Sequence, residues 1–125
     1  MSPAPRTVLI VEDDRIVGEI YSLSLTRAGY RVVVATDGVD GIDKALRERP
    51  DFIFVDLRMP RMDGIEMLRV LAQNGTTATI PIVMLSNYDD PVLLQEGRSL
   101  GAKDHIVKAG TDPAELPAVV ARWLT

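Results

Sequence analysis

Apolar positions along this chain follow two alternating rhythms. Short, nearly unbroken β-rich runs fall at Thr7–Val11, Arg31–Ala35, Phe52–Val55, Ile80–Leu85 and Asp104–Val107. Runs of this kind read as strands covered on both faces, as in parallel sheets. Pro81 sits near the start of the fourth run, where a missing N–H costs least. Between the runs the spacing becomes helical. A broad stripe of Ile16, Val17, Ile20, Tyr21, Leu23, Leu25 and Ala28 predicts a first helix, stopped by Gly29. Val39, Ile42, Ala45 and Leu46 predict a second, ending before Pro50. Ile65, Leu68, Leu71 and Ala72 predict a third, broken at Asn74-Gly75. A weakly patterned fourth runs from Pro91 to Leu100, ended by Gly101. Asp112-Pro113-Ala114-Glu115 has the form of an N-cap for a fifth helix striped by Leu116, Val119, Val120, Trp123 and Leu124. Pro117, about one turn in, is expected to loosen that turn.

Strand and helix alternate five times. The expected fold is α/β: a five-stranded parallel sheet, doubly wound, with right-handed crossovers and helices on both faces. Residues 1–6 read as a flexible arm and 7–125 as one domain. In parallel sheets the ligand crevice lies off the carboxyl ends of the strands. Those ends carry Glu12 and Asp13, Asp37, Asp56, Ser86 and Lys108. First and third strands are usual neighbours in such sheets, which would bring Glu12, Asp13 and Asp56 together. Two carboxylates about 4 Å apart repel by roughly 4 kcal/mol at an effective dielectric of 20. A cation relieves that cost, and an all-oxygen set with room for water suits Mg²⁺.

Composition narrows the chemistry. The 125 residues contain no Cys and one His, which excludes thiolate nucleophiles, disulfides and a multi-histidine zinc site. The net charge is −4 without a basic cluster, so direct nucleic-acid binding is not expected. No stretch approaches a membrane span. Met-Ser-Pro-Ala-Pro-Arg has no apolar core behind it and does not read as a secretory signal, so a cytoplasmic location is expected. Taken singly, several of these residues have duller readings. Asp14 reads as the cap of the first helix, and Glu12 and Asp13 could also cap. Ser86 reads as a turn hydroxyl, Lys108 as a surface lysine, His105 as a half-buried ring, Arg58 and Arg61 as solvated loop charges, and Tyr21 and Trp123 as packing.

The combination is more specific than its members. Val11-Glu12-Asp13-Asp14, Val55-Asp56-Leu57-Arg58-Met59-Pro60 with Met62-Asp63-Gly64, Ile80-Pro81-Ile82-Val83-Met84-Leu85-Ser86, and Gly101-Ala102-Lys103-Asp104-His105-Ile106-Val107-Lys108 occur in that order. Asp13 to Asp56, Asp56 to Ser86 and Ser86 to Lys108 are 43, 30 and 22 residues apart. In this the chain resembles the receiver domain of bacterial two-component response regulators over nearly its whole length. The resemblance implies a flavodoxin-like fold with strand order 2-1-3-4-5. It implies phosphoryl transfer from a sensor histidine kinase or phosphotransfer protein onto Asp56, without steady enzymatic turnover. Mg²⁺ (or Mn²⁺) would be held by Asp13, Asp56 and the Arg58 backbone carbonyl, with Glu12 acting through water. Lys108 and Ser86 would contact phosphoryl oxygens. Ser86 and His105 would switch the face formed by the fourth helix, fifth strand and fifth helix toward an output partner or effector domain, and a homodimer could form through that face.

Three positions depart from the family pattern. His105 replaces an aromatic Tyr or Phe, which allows a pH-sensitive switch. Ala109 replaces a proline after the lysine, so a trans bond and a rearranged loop at Ala109-Gly110-Thr111 are expected. Asn87 replaces a small residue and is expected to narrow access to Asp56. Three rival readings remain. An FMN-binding flavodoxin-like carrier needs a hydroxyl-rich phosphate loop where this chain has Glu12-Asp13-Asp14. A Mg²⁺-dependent aspartyl-phosphate phosphatase of the haloacid dehalogenase type needs Asp-x-Asp where this chain has Asp56-Leu57-Arg58. A degenerate receiver that serves only as a docking module would not take phosphate at all.

Overall fold

The computed structural model describes residues 4–87 and 90–124. Residues 1–3 of the expected arm, Tyr88 and Asp89 beyond the fourth strand, and Thr125 lie outside the described residues. Nine elements alternate: β1 (Thr7–Val11), α1 (Arg15–Arg27), β2 (Arg31–Ala35), α2 (Gly38–Glu48), β3 (Phe52–Asp56), α3 (Gly64–Gln73), β4 (Ile82–Ser86), α4 (Pro91–Ser99) and β5 (Asp104–Val107). Two 3₁₀ turns, Lys108–Gly110 and Pro113–Glu115, then lead into α5 (Leu116–Trp123). All four strand pairings are parallel, in the order β2-β1-β3-β4-β5. This is the expected doubly wound sheet.

Alternation along the buried strands divides the core into two layers. Leu9, Val11, Ile53, Val55 and Met84 pack with Met67, Leu68, Leu71 and Leu94 from α3 and α4. Val8, Ile10, Phe52, Phe54 and Leu85 pack on the other face with Tyr21 and Leu25 of α1 and with Leu116 and Val120 of α5. The Phe52 and Phe54 rings lie 4.9 Å apart in a tilted pair. Every residue of β3 is buried. Each fully buried large side chain contributes roughly 1.5–3 kcal/mol, which makes the centre of the sheet the firmest part of the molecule.

The first four helices each open on an aspartate. Asp14, Asp37, Asp63 and Asp90 accept backbone N–H groups of α1, α2, α3 and α4. A cap of this kind is worth about 1 kcal/mol. These acids therefore have structural work at the sheet edge, which separates them from Asp13 and Asp56. Gly29, at φ 98°, follows the C-cap of α1 in the left-handed region where glycine is favoured.

Several sequence expectations need correction. The fourth strand begins at Ile82 rather than Ile80; Pro81 lies just outside it, its carbonyl accepting the Ile53 N–H. The broad stripe of α1 is only half used: Tyr21 and Leu25 are buried, whereas Ile16, Ile20 and Leu23 are exposed. The helix is wide and the sheet covers only one side of it. Asp112 caps the separate Pro113–Glu115 turn, and α5 starts at Leu116. Pro117 thus stands in the first turn of α5, where its missing N–H has no helical partner to lose, and it does not loosen the helix. Trp123 is exposed rather than packed into the core.

Candidate functional site

Strand register builds the site before any side chain is considered. Val11 pairs with Val55 across β1 and β3, so Glu12 and Asp56 leave neighbouring strands side by side. Asp56 is level with Leu85, and Ser86 with Val107, which puts Lys108 just past the end of β5. Lys108 reaches across the end of β4. Its Nζ donates to Asp56 Oδ2 at 2.9 Å and to Glu12 Oε1 at 2.7 Å. The Arg58 backbone N–H donates to Asp56 Oδ1 at 3.0 Å. Gly64 closes the turn from below: a Cβ there would strike the Asp56 carbonyl oxygen, so α3 can start this close to the strand only on glycine.

These charges are nearly dry. Glu12 is inaccessible, and the side chains of Asp56 and Lys108 are 5% and 10% exposed. Glu12 Oε2 is buried without a hydrogen-bond partner among the described residues. Burial, reinforced by the neighbouring Asp56 carboxylate, pushes the Glu12 carboxyl up to about 8. Burial also acts to raise Asp56, but the adjoining Glu12, Lys108 and the Arg58 N–H prevail and hold it below its ordinary range. Desolvation disfavours the Lys108 ammonium; the two carboxylates outweigh it and raise its pKa. One ammonium therefore serves two buried acids. Removing it would leave uncompensated buried charge, at a cost of roughly 3–5 kcal/mol.

Asp13 adds a third, exposed carboxylate. Glu12, Asp13 and Asp56 each offer an oxygen within 4.8 Å of the others. A buried acceptor lacking a partner within a cluster of hard oxygen donors fits a divalent cation. An open cleft of about 520 Å³ gives access; Asp13, Asp56, Arg58, Asn87 and Lys108 line its polar side, and Tyr21 and Pro113 its apolar side.

The comparisons agree with this geometry. Residues 8–121 match the family model described as the response regulator receiver domain. The chain belongs to that family. It is 38% identical over 115 residues to the response regulator MprA of Mycobacterium tuberculosis, covering 92% of this chain and 47% of MprA. The chain thus spans about half the length of the curated relatives it matches. The chemotaxis protein CheY4 of Vibrio cholerae superposes with a TM-score of 0.89 at 34% identity, covering 95% of this chain and 98% of CheY4. The receiver domain of the sensor histidine kinase PA1611 of Pseudomonas aeruginosa, solved with a magnesium ion in its active-site cleft, gives 0.87 at 28% identity, covering 97% and 98% of the two chains. The domain is a two-component receiver, and the flavin-carrier and phosphatase readings are not favoured. No helix among the described residues is long and apolar enough to cross a membrane.

The receiver fold brings Glu12, Asp13, Asp56, Arg58 and Lys108 together. Ser86 is buried at the end of β4, beside Asn87, which lines the cleft. His105 is half-buried and lies outside the cleft; its Nδ1 is 3.0 Å from Arg98 Nη2 of α4. None of the described peptide bonds is cis, and the chain after Lys108 forms a 3₁₀ turn with Thr111 Oγ1 donating to the Val107 carbonyl. Sequence reasoning missed the direct ion pair between Glu12 and Lys108. It also missed Tyr21 in the cleft wall, although Asp14, Val17 and Tyr21 share one helical face. Arg58 and Arg61 are indeed largely exposed, yet each pairs with a helix-capping acid, Asp90 and Asp37 respectively.

Proposed function

We propose that Asp56 is the phospho-acceptor of this receiver. The observation that carries this reading is the Lys108 ammonium held between Glu12 and Asp56, beside a buried carboxylate oxygen lacking a partner among the described residues. An Asp56 oxygen attacks the phosphorus of the donor, a new O–P bond forms, and the donor's P–N or P–O bond breaks with its electron pair leaving on the donor. Positioning and charge neutralisation dominate such transfers. Lys108 shifts from Asp56 toward a phosphoryl oxygen, and the Arg58 N–H keeps the carboxylate oriented. Ser86 donates to a further phosphoryl oxygen. Asp13, Asp56 and the Arg58 carbonyl would hold Mg²⁺ or Mn²⁺, with Glu12 bound through water. When bound, the cation offsets negative charge at the reacting oxygens.

The donor is a sensor histidine kinase or a phosphotransfer protein in the cytoplasm. The signal leaves through Ser86, His105 and the face formed by α4, β5 and α5, toward an output protein or an effector domain; a second copy could dock on the same face. Such a switch converts a local change of charge into movement of a two-state element. Intact-mass measurement after incubation with Mg²⁺ and acetyl phosphate tests the reading. One added phosphoryl group is expected on the unaltered chain and none on Asp56→Asn. Unchanged labelling of Asp56→Asn would refute the assignment, and no labelling of either would favour the docking-only receiver.

A further inference from the structure

The Arg58–Asp90 ion pair joins the acceptor to α4. Arg58 stands two residues past Asp56, and its backbone N–H is bonded to the Asp56 carboxylate. Its guanidinium reaches Asp90 Oδ2 at 3.4 Å. The other oxygen of Asp90 caps α4 by accepting the Leu93 N–H at 3.2 Å. One carboxylate therefore holds the first turn of α4 and the loop after β3 at once. Arg58 also lines both the acceptor cleft and a second cleft of about 730 Å³ between α3 and α4.

The pair is built to be given up. It is one long contact, and the Arg58 side chain is 65% exposed, where an ion pair contributes little. An incoming phosphoryl group carries more charge than Asp90 and offers three acceptor oxygens, which suit the forked guanidinium. Lys108 cannot supply this early attraction, because both buried acids already hold it. We infer that the Arg58 side chain is an exchangeable second cation of the site. It trades Asp90 for the phosphoryl group of the donor, and Asp90 restrains it until then. The exchange frees the start of α4 from the β3–α3 loop while leaving its cap in place. This inference rests on Asp56 being the acceptor.

Initial rates of phosphoryl addition by intact mass, at subsaturating acetyl phosphate with Mg²⁺ and low salt, test it. Asp90→Asn keeps a good helix cap but releases the guanidinium. Its rate should rise about threefold, the scale of one exposed ion pair, and the gain should fade at high salt. Arg58→Ala should be slower than the unaltered chain, and Arg58→Lys should recover part of the loss. The double variant Arg58→Ala/Asp90→Asn should match Arg58→Ala. A gain from Asp90→Asn that persists in the double variant would make it a mere change of net charge and overturn the inference. So would an unmoved rate in Asp90→Asn. Failure of the unaltered chain to label would defeat the acceptor assignment and this inference with it.

Discussion

Strands β3 and β5 both deliver a residue to the same cleft, yet they are built differently. Strand β3 lies in the middle of the sheet with every residue buried. Strand β5 is an edge strand of four residues, of which only Ile106 is buried. Asp56 is presented from a rigid centre, whereas Lys108 is presented from a thinly packed rim and a 3₁₀ turn. The cleft thus joins the densest packing of the sheet to its loosest.

The same substitution placed on each strand tests this contrast most severely. Ile53→Ala and Ile106→Ala both fall in the roughly 2–5 kcal/mol range for buried aliphatic truncation. Chemical denaturation should put Ile53, at 0% exposure, near the top and Ile106, at 8%, near the bottom. Equal costs would break the comparison. Next in size, Lys108→Ala should slow phosphoryl addition about 10²-fold, the scale of losing one charge-stabilising donor, as followed by intact mass.

A third test uses pH. Glu12 has a folded pKa of about 8, above its ordinary 4.5, so the folded state binds the extra proton between those values. Its contribution is therefore complete below about pH 4.5 and lost as pH rises through about 8. Asp56, shifted down, and Lys108, shifted up, keep their charge states across that window. Without divalent cations the protein should lose on the order of 2 kcal/mol of unfolding free energy between mildly acidic and mildly alkaline pH. In Glu12→Gln most of that slope should vanish; a slope equal to the unaltered chain's would place the proton elsewhere. Smallest of all, Val92→Ser on exposed α4 should change stability by less than about 0.5 kcal/mol, and a larger loss would mean that this face is packed after all.

The contrast also explains what could be read from the chain alone. The centre was legible because buried strands leave continuous apolar runs, as Phe52–Val55 does, and because parallel pairing forces their polar ends to one edge. Asp13, Asp56 and Lys108 could be picked out for that reason. The periphery was less legible because amphipathic spacing does not say how far a neighbour extends. Ile16, Ile20 and Leu23 fit the helical stripe as well as Tyr21 and Leu25 do, and only the width of the sheet decides which are covered. Long-range pairs such as Lys108 with Glu12 or Arg58 with Asp90 leave no periodic trace. Pro117 misled because the 3₁₀ turn before it moves the helix start by several residues.

The central claim is that one buried carboxylate, placed by β3, carries the phosphoryl group. Borohydride reduction of the labelled protein converts a phosphorylated aspartate to homoserine, and tandem mass spectrometry of the digest locates it. The account predicts homoserine at position 56 and at no other acid. Homoserine at position 13 or elsewhere, with Asp56 intact, would contradict it.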